Sequence, residues 1–238
     1  MNVLIFGNSY LQGAAREVDL LVDALLASGH RVTVEQTFHA WLSATGRRAG
    51  ACPAAAAQAA ATMDLLVSLG GDGTMLHTAH ATAAYDKPIL GLNAGHLGYL
   101  TAASLSGAPL MVEALTAGDY RVEQRMMLQV ECDAVPIDVP YALNEVALLR
   151  QDTSSVIEME TLLRGEPLTT YVGDGLVIST PTGSTAYNMS AGGPILEPTT
   201  RCMVLTPVSP HALTMRPLVV GDDSTVTITT RSRAGHYM

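Results

Sequence analysis

Three cysteines in 238 residues, Cys52, Cys132 and Cys202, are odd in number and far apart, which excludes a disulfide framework or a zinc knuckle. They read as ordinary small core or surface residues. Basic residues are scarce as well: 13 Lys and Arg against 22 Asp and Glu leave a formal net charge of −9. Bulk electrostatic binding to nucleic acid is thereby excluded, because phosphate affinity is built from clustered cations. A small anionic ligand stays open, since a pocket needs only a few local donors. There is no long hydrophobic run. The longest apolar stretch, residues 54–61, is interrupted by Gln58 and is too short and weakly hydrophobic to span a bilayer, so no membrane partner is expected. No basic stretch precedes residues 3–6, which read as a first strand rather than a leader, and the expected location is the cytoplasm. Internal repeats and low-complexity linkers are absent too.

What is present is an ordered alternation of patterns. Residues 3–6 form a short apolar run, and Val18, Leu21, Val22, Leu25 and Leu26 follow at helical spacing before a Ser28-Gly29 stop. Val32 and Val34 alternate as a second strand. Residues 40–61 are mixed, with a loop at Arg47-Arg48 and Gly50 and then an alanine-rich stretch that predicts a helix. A strand at 65–69, a glycine turn, a helix at 75–84 and a strand at 89–92 ending in Asn93-Ala94-Gly95 complete the series. Such β-α-β alternation predicts a parallel, doubly wound sheet whose ligand edge lies where the strands end. After a helical stretch near 110–115 the pattern changes to short β-rich runs at 126–132, 142–149, 156–163, 176–180, 203–205 and 226–230. These predict an antiparallel sandwich or barrel. The expected domains are 1–125 and 126–238, sharing a cleft suited to a ligand.

Two glycine-rich turns carry the chemistry. Gly70-Gly71-Asp72-Gly73-Thr74 lies between a strand and a helix, where close backbone approach and a helix N-terminus suit a phosphate. A carboxylate beside phosphate is repulsive, so Asp72 either handles a proton, hydroxyl or metal ion, or merely caps the helix. Asn93 and the glycines after it close the next strand in the same way. Asn144-Glu145 interrupts an apolar β segment, which suits an amide on an adenine edge and a carboxylate on ribose hydroxyls, or else a bulge. Gly173-Asp174-Gly175 leads through a strand into Thr180-Pro181-Thr182-Gly183-Ser184-Thr185-Ala186-Tyr187, a density of small hydroxyls that helix capping explains only in part. Tyr187 either stacks on a base or packs. His77 and His80 share a helix face without a third ligand, and His211 is a further pocket candidate.

On these residues the chain resembles the NAD kinase family. The match runs in order through 70–74, 93–100, Asn144-Glu145, 173–190, Gly192-Gly193-Pro194 and 205–217. Lipid kinases of the diacylglycerol type share the first turn, whereas the Ser179-to-Tyr187 block is much more specific. The resemblance implies a Rossmann-like N-terminal domain, a β-sandwich C-terminal domain and phosphorylation of NAD at the 2′-hydroxyl of its adenosine ribose. It implies that Asp72 is the catalytic aspartate, with Gly73 in the same pocket. Asn144 and Glu145 hold the nucleotide, Asp174 meets the second nucleoside, and Thr185, Ala186, Tyr187 and Ser190 form the adenosine site. Gly70, Gly71, Thr74 and Asn93 are candidates for the donor phosphates. ATP, or polyphosphate in some relatives, is the implied donor. The implied metal is a divalent cation, Mg²⁺, held mainly through donor phosphates, and the implied assembly is a homodimer or homotetramer. Val172 departs from relatives that carry a basic residue there, and relatives continue past residue 238, so the C-terminus is expected to be incomplete. The competing expectations are a lipid kinase and a non-catalytic dinucleotide sensor.

Overall fold

The computed structural model describes residues 1–95, 98–151 and 156–232, and the chain falls into two compact units, Met1–Val122 and Glu123–Met238. The first unit contains β1 (Asn2–Phe6), α1 (Ala15–Ala27), β2 (Arg31–Glu35), α2 (Gln36–Ala44), β3 (Ala54–Ala55), β4 (Leu65–Leu69), α3 (Asp72–Thr82), β5 (Ile89–Asn93), β6 (Ala103–Ser104) and α4 (Ala108–Ala117). Its six strands form one sheet in the order β3-β2-β1-β4-β5-β6, and every pairing is parallel. The expected doubly wound arrangement is therefore present. Alternation along β1 sends Val3 and Ile5 into a core with Val18, Leu21, Leu25 and Phe38, and Leu4 and Phe6 into a second core with Ala60 and Leu66. Both sheet faces are covered, which is why β1 and β4 read as unbroken apolar runs. Strand order reverses at β1, so the ends of β1 and β4, at Phe6 and Leu69, flank the topological switch point where open α/β sheets bind ligands.

The alanine-rich stretch is not an α-helix. Ala54–Ala55 pairs with β2, and Ala57–Thr62 is a 3₁₀ helix beside β4. Alanine's helical preference is worth only tenths of a kcal/mol per residue, and one sheet pairing outweighs it here. The helix after the glycine turn begins earlier than the pattern predicts, at Asp72 rather than residue 75.

The second unit is antiparallel throughout. It contains β7 (Leu128–Gln129), β8 (Tyr141–Ala142), β9 (Glu145–Leu149), β10 (Ile157–Leu163), β11 (Glu166–Gly173), β12 (Gly175–Ser179), α5 (Tyr187–Ser190), β13 (Cys202–Val208), β14 (Leu218–Gly221) and β15 (Val226–Ser232). Among the described residues the strands form sheets ordered β11-β10-β15 and β14-β13-β12-β9, with a small β7-β8 pair. Ile157, Met159 and Tyr171 of the first sheet share one core with Leu176, Ile178, Met203 and Leu205 of the second. Two sheets closing on a common core make the expected sandwich. The apolar segment expected at 142–149 breaks at Leu143-Asn144, between β8 and β9.

Candidate functional site

In the first unit the glycine turn is built by backbone geometry that side chains resist. Gly70 has φ +148°, and the place of a Cβ on it is taken by the Thr74 side chain. The Gly70 N–H donates to the Leu92 carbonyl at 2.9 Å, tying the turn to β5. Asn8, just beyond β1, donates from Nδ2 to Thr74 Oγ1 at 2.8 Å, so the first loop and the glycine turn are clamped at the switch point. Gly71 is the N-cap of α3 and offers no side-chain cap, leaving the first amides of an 11-residue helix directed outward.

Asp72 is not a capping residue. Its carboxylate turns to the loop after β5, where Oδ2 accepts from the Tyr99 N–H at 2.8 Å and Oδ1 from the Leu100 N–H at 2.9 Å. Gly98 packs directly against this carboxylate. Each oxygen keeps a free lone pair, so the group stays a competent proton acceptor in a fixed orientation. Asn93 is buried, and its Oδ1 accepts from the Gly95 N–H at 2.6 Å. That bond forms a tight side-chain turn just after β5.

In the second unit the hydroxyl-rich block divides by role. Thr180 Oγ1 donates to the Leu143 carbonyl at 2.6 Å and accepts from the Gly183 N–H at 3.0 Å. Ser184 Oγ donates to the Pro181 carbonyl at 2.7 Å and accepts from the Leu196 N–H at 3.0 Å. Asn188 is fully buried; its Nδ2 donates to the Ser184 and Pro194 carbonyls, and its Oδ1 accepts from Thr206 Oγ1 on β13. These groups hold the loop's shape. Thr185, Ala186 and Tyr187 are half-buried and Ser190 is exposed, which leaves that edge able to meet a ligand.

Asn144 lies under the same loop, its carbonyl accepting from the Thr180 N–H at 2.8 Å. Glu145 points toward the Tyr187 backbone N–H, and its Oε2 is buried without a hydrogen-bond partner. Burial raises the Glu145 carboxyl above the ordinary glutamate value, and the Tyr187 amide offsets part of that rise. A buried oxygen without a partner costs free energy unless a ligand supplies the donor. Asp174 forms an ion pair with Arg150 Nη1 at 3.1 Å, and its backbone bonds both Arg150 and Val208. His77, His80 and His211 are exposed. Among the described residues no three His, Cys, Asp or Glu side chains converge as a metal site.

Comparison with known proteins settles what these two arrangements belong to. Residues 3–120 match the ATP-NAD kinase N-terminal domain family and residues 143–237 the ATP-NAD kinase C-terminal domain family. The NAD kinase of Bacteroides fragilis strain NCTC 9343 is 38% identical over 239 residues, covering 100% of this chain and 82% of that protein. The chain belongs to the NAD kinase family. A second relative, the NAD kinase of Heliobacterium modesticaldum, is 45% identical over 176 residues, covering 73% of this chain and 62% of its own length. Among solved structures, yeast NADH kinase complexed with NADH superposes with a TM-score of 0.85 at 25% identity, covering 100% of this chain and 76% of that one. An Archaeoglobus fulgidus NAD kinase in complex with ATP shares the fold, with a TM-score of 0.72 at 24% identity and coverage of 100% and 86%. Family membership makes this chain a NAD kinase enzyme and disfavours the lipid-kinase and sensor readings.

Seen as a NAD kinase, the chain contains supporting residues that motif reading missed. Asn8, Arg150 and Asn188 act through partners 66, 24 and 18 positions away, respectively, at Thr74, Asp174 and Thr206. Asn8 carried one signal, a polar residue directly after the first strand and its Gly7. Arg150 and Asn188 carried none.

Proposed function

We propose that Asp72 is the general base of this NAD kinase, taking the proton of the adenosine ribose 2′-hydroxyl of NAD as that oxygen attacks the γ-phosphorus of ATP. The O–H bond breaks toward Asp72, the new O–P bond forms, and the bond to the β-phosphate breaks to release ADP. The observation that carries this reading is a carboxylate clamped by two backbone amides at a switch point, on the first residue of α3 and so beside its uncapped amides. Phosphoryl transfer is mostly positioning and charge stabilisation, so a fixed base and a helix N-terminus are the parts it needs. Gly70, Gly71 and Thr74 would approach the donor phosphates and Gly73 the NAD ribose beside Asp72, with Asn93 closing β5 at the same sheet edge.

Thr185, Ala186, Tyr187 and Ser190 would take the adenosine, and Asn144 and Glu145 its base and ribose edges. Glu145 Oε2, buried and unpaired, is the acceptor a ribose hydroxyl would satisfy. Asp174 would meet the second nucleoside, with Arg150 offsetting its charge. The first unit is thus the donor and proton domain, and the second the dinucleotide domain. The divalent cation that the family resemblance implies, Mg²⁺, would be held chiefly by the donor's phosphate oxygens and would neutralise charge there. The NADH and ATP complexes of the two solved relatives support the choice of dinucleotide and donor. A cytoplasmic homodimer or homotetramer is the assembly the family resemblance favours, and no described helix is long and apolar enough to cross a membrane.

The test is Asp72→Asn. General-base assistance is worth roughly 10²–10⁴-fold, so NADP formation should fall by that factor while NAD binding stays measurable by calorimetry. Near-normal turnover would remove Asp72 from the role.

A further inference from the structure

We infer that Gly98 is a positioning residue for phosphoryl transfer: its bare Cα leaves the space in which the Asp72 carboxylate lies, between the backbone amides that fix it. This rests on the reading of Asp72 as the base. A Cβ built on Gly98 would overlap Asp72 Oδ1 and stand 2.8 Å from Asp72 Cγ and 3.1 Å from Oδ2. The overlapped oxygen is the one that accepts from the Leu100 N–H. Ordinary carbon–carbon contact is about 3.5–4.0 Å, so a methyl group at 98 drives the carboxylate back by about 1 Å and off that amide. The Tyr99 amide alone then holds Oδ2, and one hydrogen bond leaves the carboxylate plane free to swing.

The demand is steric: all three atoms nearest to a Cβ at residue 98 belong to the Asp72 carboxyl group. The Gly98 N–H donates to Thr101 Oγ1 at 3.2 Å, a bond that alanine keeps. Gly98→Ala therefore perturbs the base while leaving the dinucleotide edge of the second unit alone.

A displacement of about 1 Å at a reacting group costs on the order of 100-fold in rate. The experiment uses the full chain with NAD, ATP and MgCl₂, measuring initial rates and thermal unfolding for wild type, Gly98→Ala, Asp72→Ala and the double variant. Gly98→Ala is expected to lower kcat by about 100-fold with both KM values within about threefold, the split that a transition-state-only interaction gives. In the Asp72→Ala background the obstructing carboxylate is gone. There, adding Gly98→Ala should leave the melting temperature where it was, although the same change lowers it in the wild type. Should Gly98→Ala alone be too unstable to assay, a folded double variant supports the assignment and an unfolded one overturns it. Wild-type kcat in Gly98→Ala, or equal melting shifts in both backgrounds, overturns it also. Wild-type kcat in Asp72→Ala would instead strike the reading on which it rests.

Discussion

Asn188→Ala tests how the 182–190 loop of the second unit is held. The side chain has 0% exposure and makes three hydrogen bonds, to the Ser184 carbonyl at 3.0 Å, the Pro194 carbonyl at 2.9 Å and Thr206 Oγ1 at 2.6 Å. All its hydrogen-bonding partners are internal, so truncation strands two carbonyls and one hydroxyl. At about 1 kcal/mol net for each bond the loss is roughly 3 kcal/mol. For a chain of this size that lowers the melting temperature by roughly 6–12 °C. The bonds join the 182–190 loop to β13, so the edge bearing Tyr187 loosens with them. KM for NAD should rise severalfold while kcat, assigned to the proposed base Asp72 in the other unit, stays near wild type. Thermal unfolding by circular dichroism and initial-rate kinetics read both effects. Asn188→Asp keeps the acceptor for Thr206 but sets a carboxylate oxygen against two carbonyl oxygens, and should destabilise at least as much. A melting shift under about 2 °C with an unchanged KM for NAD would refute the reasoning.

Three further outcomes follow from the same geometry. Burial favours the protonated form of Glu145, so the folded chain holds that proton more tightly than the unfolded one. Its contribution to stability is full below the ordinary glutamate value of 4.5 and is lost as pH rises through the higher folded value, so Glu145→Gln should flatten the fall of melting temperature above that pH. Tyr187→Ala should raise KM for NAD by about tenfold, the loss of a stacking contact worth 1–3 kcal/mol, with kcat unchanged; an unaltered KM would assign Tyr187 to packing. Gly70→Ala forces a side chain into φ +148° against Thr74 and should cost on the order of 1–3 kcal/mol by chemical denaturation; a neutral effect would show that the turn relaxes.

The parallel half of the fold was legible because β1 and β4, buried on both faces, advertise themselves as apolar runs and the glycine turn punctuates them. Less was visible where tertiary contacts decide. Gln36–Ala44 became a helix capped by Glu35, whose carboxylate accepts from Thr37 and Phe38, and it runs into the stretch from residue 40 that read as mixed. Glu166–Gly173 carries a proline and few apolar residues, yet it pairs along β10 and enters the sandwich through Tyr171. At the site, the motifs pointed to Asp72, Glu145 and the 182–187 block. The clasp on Asp72 comes from amides 27 and 28 positions away, and a local motif holds no record of such a contact. The cap reading of Asp72 failed for the same reason: the carboxylate had better donors across the sheet edge than within its own helix.

The proposed proton transfer to the Asp72 carboxylate is read most directly from single-turnover formation of NADP from NAD, ATP and MgCl₂ by wild type and Asp72→Asn at saturating substrates. NADP is expected from the wild type, and at a rate roughly 10²–10⁴-fold lower from the variant, with NAD still bound. Equal single-turnover rates for the two proteins would contradict it.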